Sequence, residues 1–235
     1  MRPLSVDADQ PLSQWHNPFL PLPHPAAGRS ESSSFRDPSG FVFTLDGELY
    51  RQVNAVYRPH YDRLLESGLL TDLVERGWLV RHEEVRGTDL LSPGAYKVLR
   101  PERVPFVSYP YEWSFSQLRD AARLTLRIQQ RALKAGMSLK DASAYNVQFL
   151  KGKPIFIDTL SFETRIEGRP WVAYRQFCQH FLSPLALMAH RDVRLGQLSR
   201  VFLDGVPLDL ASELLPRRTR LKSSLAIHVH LHAWA

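Results

Sequence analysis

The chain has 235 residues, 44% of them apolar and 23% charged, and Lys and Arg outnumber Asp and Glu by 30 to 24, a net charge of +6. These values exclude a largely disordered chain, a collagen-like rod and a coiled coil, and the length allows one good-sized domain or two small lobes sharing a core. No run approaches the roughly 18 unbroken apolar residues of a membrane span, and the N-terminus lacks the apolar region of a secretory signal, so a cytoplasmic protein is expected.

Residues 1–34 hold six prolines and end in Ser-Glu-Ser-Ser-Ser before Phe35. Proline fixes φ and removes a donor, so this stretch is expected to be a flexible tail without ladder or helix, pinned in part by Trp15, Phe19 and Leu20. Patterned structure begins near Phe35. The runs 41–45 and 48–53 flank Asp46-Gly47, a strong hairpin signal. Residues 58–76 read as helix interrupted near Gly68, 78–85 as strand, and 96–99 and 104–109 as short extended runs broken by Pro101 and Pro105. Ser114 caps a long helix over 115–135 that Gly136 ends. Its Leu118, Ala121, Ala122, Thr125, Ile128 and Ala132 form one apolar stripe.

A second tight hairpin is expected over 147–157, turning at Lys151-Gly152, with Asp158 at its end. Residues 171–190 read as helix kinked by Pro184, followed by shorter helices near 193–202 and 208–214. Strands precede helices, which gives an α+β chain: a small β-rich lobe with its connection over 35–113 and a helical lobe over 114–235.

The chemistry-bearing residues cluster between 139 and 158. Asp141 and Asn146 stand five apart after the long helix, and Asp158 follows twelve residues later, beyond the hairpin. A carboxylate, an amide and a second carboxylate brought to one small volume can orient a hydroxyl and hold a hard cation. Mg²⁺ takes oxygen ligands and commonly needs only one or two carboxylates plus substrate phosphates. The bland reading is turn chemistry, since Asp and Asn satisfy local backbone groups in loops.

This spacing resembles the catalytic loop and metal-binding segment of the protein kinase and aminoglycoside phosphotransferase superfamily. The resemblance implies a two-lobed kinase-like fold, ATP and Mg²⁺ as ligands, Asp141 as the hydroxyl-orienting base, and Asn146 and Asp158 as metal ligands. It implies a phosphate-binding cation on the strand after the first hairpin turn, where Arg51 stands, with Lys97 as competitor and Glu66 or Glu75 as its pairing acid. The acceptor would be a hydroxyl on a small molecule or a protein. Several features depart from that pattern. No G-x-G-x-x-G loop precedes the hairpin, Arg51 replaces the usual lysine, Leu139-Lys140 replaces the residues before the base, and Thr159-Leu160 follows Asp158. A kinase-like scaffold without catalysis therefore stands as one alternative.

The segments Ser-Tyr-Pro-Tyr-Glu-Trp-Ser (108–114), Lys-Asp-Ala-Ser-Ala-Tyr-Asn (140–146), Ile-Asp-Thr-Leu-Ser-Phe-Glu (157–163) and Tyr-Arg-Gln-Phe-Cys-Gln-His-Phe-Leu (174–182) are similar to the N-terminal half of longer bacterial proteins labelled S-adenosylmethionine-dependent methyltransferases or nodulation-type proteins. That likeness implies a second alternative: an accessory part whose cofactor chemistry belongs to a C-terminal or separate methyltransferase domain. The chain has no Gly-rich strand-turn-helix loop for that cofactor.

Other candidates carry blander expectations. His228, His230 and His232 alternate with apolar residues and on a strand would face one side; a half-exposed strand is the simpler account than a metal site. Cys178 and His180, two apart on a helix, face away from one another, so Cys178 is expected to be buried. The cluster Arg217, Arg218, Arg220 and Lys222 lacks interleaved aromatics, so nucleic acid is not expected as a partner.

Overall fold

A computed structural model describes residues 37–85 and 94–233, together with the backbone of 29–30. Five antiparallel strands form the larger sheet: β1 (Arg29–Ser30), β2 (Gly40–Leu45), β3 (Glu48–Asn54), β4 (His82–Glu84) and β5 (Ala95–Pro101), in the order β1-β2-β3-β5-β4. The β2–β3 turn is the expected Asp-Gly hairpin: Asp46 and Gly47 both take positive φ, 50° and 82°, which matches the twist of the flanking strands. Across that hairpin Phe43 stands opposite Tyr50, and their rings stack 5.5 Å apart. Two expectations change here. Arg29–Ser30, inside the stretch expected to hold no ladder, pairs with Phe43 and Thr44 of β2; the rest of 1–34 lies outside the described residues. The strand expected over 78–85 shortens to His82–Glu84, because Leu79 and Val80 turn away to meet Phe156, whose carbonyl accepts from Val80 N at 2.8 Å.

Helices α1 (Arg58–Glu66) and α2 (Leu69–Glu75) intervene between β3 and β4. Gly68 separates them, at φ 72°, a left-handed conformation that glycine adopts without steric cost. Tyr57 and Tyr61 pack with Val53, Leu99 and Leu160 into a small buried cluster against the sheet. A larger core surrounds α3 (Phe115–Lys134), where Ser114 and Gln117 cap one another's backbone N–H groups. Its buried stripe is the predicted one, joined by Leu124 and Gln129. Gln129 uses its amide to hold the start of the next segment, donating to Ser138 Oγ and accepting from Leu139 N.

Two short ladders then follow. Strand β6 (Met137–Leu139) pairs with β9 (Phe162–Thr164), and β7 (Val147–Leu150) pairs with β8 (Lys153–Phe156). The loops 140–146 and 157–161 therefore both leave these ladders at the same end. Lys140 N donates to Ser161 O and Ile157 N donates to Asn146 O, each at 2.8 Å, so the two loops lie side by side.

The helix expected over 171–190 divides into α4 (Tyr174–Phe177), a wide π-type turn at Cys178–Leu182, and α5 (Ser183–His190). Pro184 has no N–H to give the His180 carbonyl and its ring crowds that turn, so the helix widens just before it. A 3-10 stretch (Val193–Arg200) and α6 (Leu208–Leu214) follow. Residues 226–231, expected as a strand, continue α7 (Ser223–Leu225) as a wide helical turn. Leu225 and Val229 are both buried in the main core; an i, i+4 spacing puts them on one helical face but on a strand would not outweigh the alternation of the histidines. Among the described residues no helix is long and apolar enough to cross a membrane.

Candidate functional site

Arg51 is on β3, opposite Val42 of β2 and Leu99 of β5. Its Nη2 lies 2.6 Å from Asp158 Oδ1, and both side chains are only 15% exposed. Asp158 caps the 3-10 turn Thr159–Ser161: Oδ1 also accepts from Leu160 N at 3.0 Å, and Oδ2 accepts from Ser161 Oγ at 2.6 Å. Asn146 reaches the same hydroxyl, its Nδ2 donating to Ser161 Oγ at 3.1 Å. Asp141 Oδ1 accepts from Ser143 N at 2.9 Å. Asp141, Asn146, Asp158 and Arg51 all line one polar cleft of about 530 Å³, together with Asp37, Lys140, Ser161 and Gln176.

The turn-chemistry reading and the cleft reading are thus both present in the same side chains. Asp141 makes a local turn bond and Asp158 makes a cap, yet each also faces the cleft. Lys97 is not among the residues lining it; its Nζ binds Glu84 Oε2 at 2.7 Å. The acid that pairs with Arg51 is Asp158, while Glu66 and Glu75 are exposed on their helices.

Sequence reasoning missed three supporting groups. Lys140 donates to Ser39 Oγ, lies 3.6 Å from Asp37 Oδ1 and sits over the Tyr57 ring at 5.1 Å. Gln176 of α4 accepts from Ala142 N at 2.7 Å and so fixes the 140–146 loop. Ser161 joins Asn146 to Asp158; its place three residues after Asp158 is the one legible signal, since a capping side chain acts over that reach. Tyr57 is buried behind these groups, its hydroxyl donating to Phe162 O at 2.5 Å. Burial first, and then the Asp158 charge, keep that phenol protonated well above its ordinary range.

A second cavity of about 480 Å³ adjoins on the other side of Arg51, between the sheet and the connection after β5. Its walls are mainly aliphatic, including Val42, Leu49, Val80, Leu99, Val104 and Ile157. Gln148 braces the connection, accepting from Ser108 N at 2.9 Å and donating to Ser108 O at 3.1 Å. Arg51 and His82 both line this cavity, and each holds a polar atom sealed from solvent, Nε and Nδ1, that has no hydrogen-bond partner among the described residues.

No group of three or more His, Cys, Asp or Glu gathers as a metal cage among the described residues. A magnesium ion that keeps several waters asks for less. The Asp158 carboxylate and the Asn146 amide oxygen, left over once Nδ2 is spent on Ser161, make a donor set of the right hardness. The three C-terminal histidines do not converge: His230 is buried between Ser212 Oγ and Thr219 Oγ1, and His228 Nδ1 meets Tyr174 Oη. Cys178 is buried, as expected. His180, also buried, is held neutral down to about 4, because desolvation outweighs the nearby Asp141 and Asp204 charges.

No family model matches the chain. It is similar to Nodulation protein NoeA of Rhizobium meliloti (strain 1021), 35% identical over 211 residues, which is 89% of this chain and 44% of that protein. The chain thus spans less than half the length of this curated relative.

Proposed function

We propose that the chain is a ligand-binding module of the nodulation type, kinase-like in its two-lobed architecture, which binds a magnesium–nucleotide and serves a methyltransferase domain in longer proteins. The observation that carries this reading is Arg51. It stands where the apolar cavity meets the polar cleft, with a buried Nε lacking a partner and an Nη2 on Asp158. Its planar guanidinium fork suits phosphate oxygens, and it lines the cleft that also holds Asp141, Asn146 and Asp158. The insertion of α1 and α2 between β3 and β4 supports the kinase-like architecture.

Asp158 and the amide oxygen of Asn146 would hold the Mg²⁺, which screens charge between the phosphates and these acids. Lys140 and Arg51 balance Asp37, Asp141 and Asp158 in the same cleft. The relative's greater length supports a second functional part beyond this module. Phosphoryl transfer is a second reading, favoured by Asp141: its carboxylate lines the cleft that holds Asp158 and Asn146, where it could orient an acceptor hydroxyl.

Calorimetry with ATP and Mg²⁺, and separately with S-adenosylmethionine, tests the proposal. Saturable nucleotide binding that needs Mg²⁺ and is lost in Asp158→Asn is expected, with no heat from S-adenosylmethionine. A well-folded parent that binds no nucleotide overturns the module. Nucleotide turnover abolished by Asp141→Asn with binding retained would establish the second reading.

A further inference from the structure

Helix α3 carries arginines at 119, 123, 127 and 131, one every fourth residue, so they form one row on its surface. Like charges at that spacing weaken a helix, and α3 already has its Ser114 cap and its buried stripe. Acids meet only the two ends of the row. Asp120 lies 3.1 Å from Arg119 and 3.9 Å from Arg123; Asp72 lies 3.7 Å from Arg131 and 2.8 Å from Arg76. Arg127, in between, has no acid partner among the described residues, and its guanidinium sits 5.9 Å from the centre of the Trp78 ring. Arg76 approaches the same ring to 5.4 Å.

These side chains line a pocket of about 370 Å³ where the outer face of α3, the turn after α2 and the turn between β7 and β8 meet. Phe156 N of β8 donates to Trp78 O at 2.8 Å and holds two of these segments together. Arg76, Arg123, Arg127 and Lys153 line the pocket against Asp120 alone, and Lys153, like Arg127, has no acid partner among the described residues. All four cations are exposed, so a ligand can reach their charged ends. The pocket shares no lining residue with the polar cleft or the apolar cavity. Its β7–β8 turn is at the far end of that ladder from the loops 140–146 and 157–161, about 13 Å of strand away.

We infer that this pocket binds a phosphoryl group, carried by a small soluble ester or by a lipid headgroup. A phosphoryl group brings close to two negative charges and three acceptor oxygens, enough to engage Arg123, Arg127 and Lys153 together. Guanidinium forks take phosphate oxygens in pairs, and lysine adds a point charge. A carboxylate brings a single charge and leaves most of these cations unmatched. The Trp78 ring restrains Arg76 and Arg127 before a ligand arrives, and those cations engage the π surface on which a base would stack. The site therefore reads charge and not a base, and it is independent of the nucleotide module.

Inorganic phosphate makes the direct probe, titrated by calorimetry at low salt with a chelator in place of Mg²⁺, and with acetate as the carboxylate comparison. Saturable binding of phosphate, at least about tenfold tighter than acetate, is expected in the parent. Arg127→Gln combined with Lys153→Gln removes two charge-assisted contacts and should weaken phosphate at least about tenfold. Arg217→Gln combined with Arg218→Gln removes the same charge from residues that do not line the pocket, and should leave the affinity within about twofold. Should the first double variant not fold, Lys153→Gln alone, on an exposed turn, gives the same comparison. Flotation with phosphatidylcholine vesicles carrying phosphatidic acid, lost in the first double variant, assigns the lipid headgroup; phosphate binding without flotation assigns a soluble ester. A folded parent that binds no phosphate overturns the site. So does a loss of affinity that is equal in the two double variants, since net charge alone would then account for the binding.

Discussion

The Arg51–Asp158 pair joins the sheet to the 157–161 loop, and its strength follows from its setting. At 2.6 Å, with both side chains 15% exposed, it lies between two regimes. Fully exposed pairs contribute about 0.2–1 kcal/mol, and removing one partner of a fully buried pair costs about 3–5 kcal/mol. Asp158 keeps two other bonds, from Leu160 N and Ser161 Oγ, so losing Arg51 does not strand it entirely. Arg51→Met, which preserves the aliphatic stem, should cost about 2 kcal/mol, a charge-assisted bond being worth about 1.5–3. For a chain of this size that is a fall of roughly 4–8 °C in melting temperature. Asp158→Asn should cost a similar amount, because the amide keeps an acceptor for Leu160 N but loses the charge. The double variant should lose less than the two singles combined, with a coupling of about 2 kcal/mol in urea unfolding. Singles that add to within about 0.5 kcal/mol would refute the pairing as an energetic link.

Other substitutions test other parts of the frame. Gly40→Ala puts a Cβ 2.0 Å from the Gln52 carbonyl oxygen; backbone cannot retreat as a side chain can, so a loss of about 3 kcal/mol or more is expected, read by urea denaturation, and a variant as stable as the parent would contradict the β2–β3 register. Tyr57→Phe leaves the Phe162 carbonyl without its 2.5 Å donor and should cost about 1–3 kcal/mol in the same assay. His180 has its folded pKa lowered to about 4, below the unfolded value of about 6.5. Between these values the unfolded chain binds the extra proton, so the stability it contributes is present above pH 6.5 and lost as pH falls toward 4. Unfolding free energies from urea denaturation at pH 7 and pH 5 should therefore differ by about 2 kcal/mol more in the parent than in His180→Gln. An equal pH dependence in both would show that His180 is not held neutral.

Local patterns in the chain were enough for its short-range elements. Asp46-Gly47 demands positive φ at both positions and makes a hairpin without outside help. Ser114 with Gln117 caps α3, and the stripe from Leu118 to Ala132 declares its buried face. The grouping of Asp141, Asn146 and Asp158 was legible as well, because their spacing spans a loop and one tight hairpin, which returns the chain to its starting point. Partners that depend on distant strands were not legible. Spacing offered Glu66 or Glu75 to Arg51, but only the approach of the sheet to the 157–161 loop decided for Asp158. Lys97 and Arg51 look equivalent along the chain, and the pairing of β5 with β4 gives Lys97 to Glu84. The alternating histidines read as a strand because period two is visible locally, whereas burial of Leu225 and Val229 in the helical core outweighs it. His82 gave no sequence signal at all. Its Nδ1 lacks a partner, and that is a property of the packed interior, where distant segments exclude water from an atom they do not themselves satisfy.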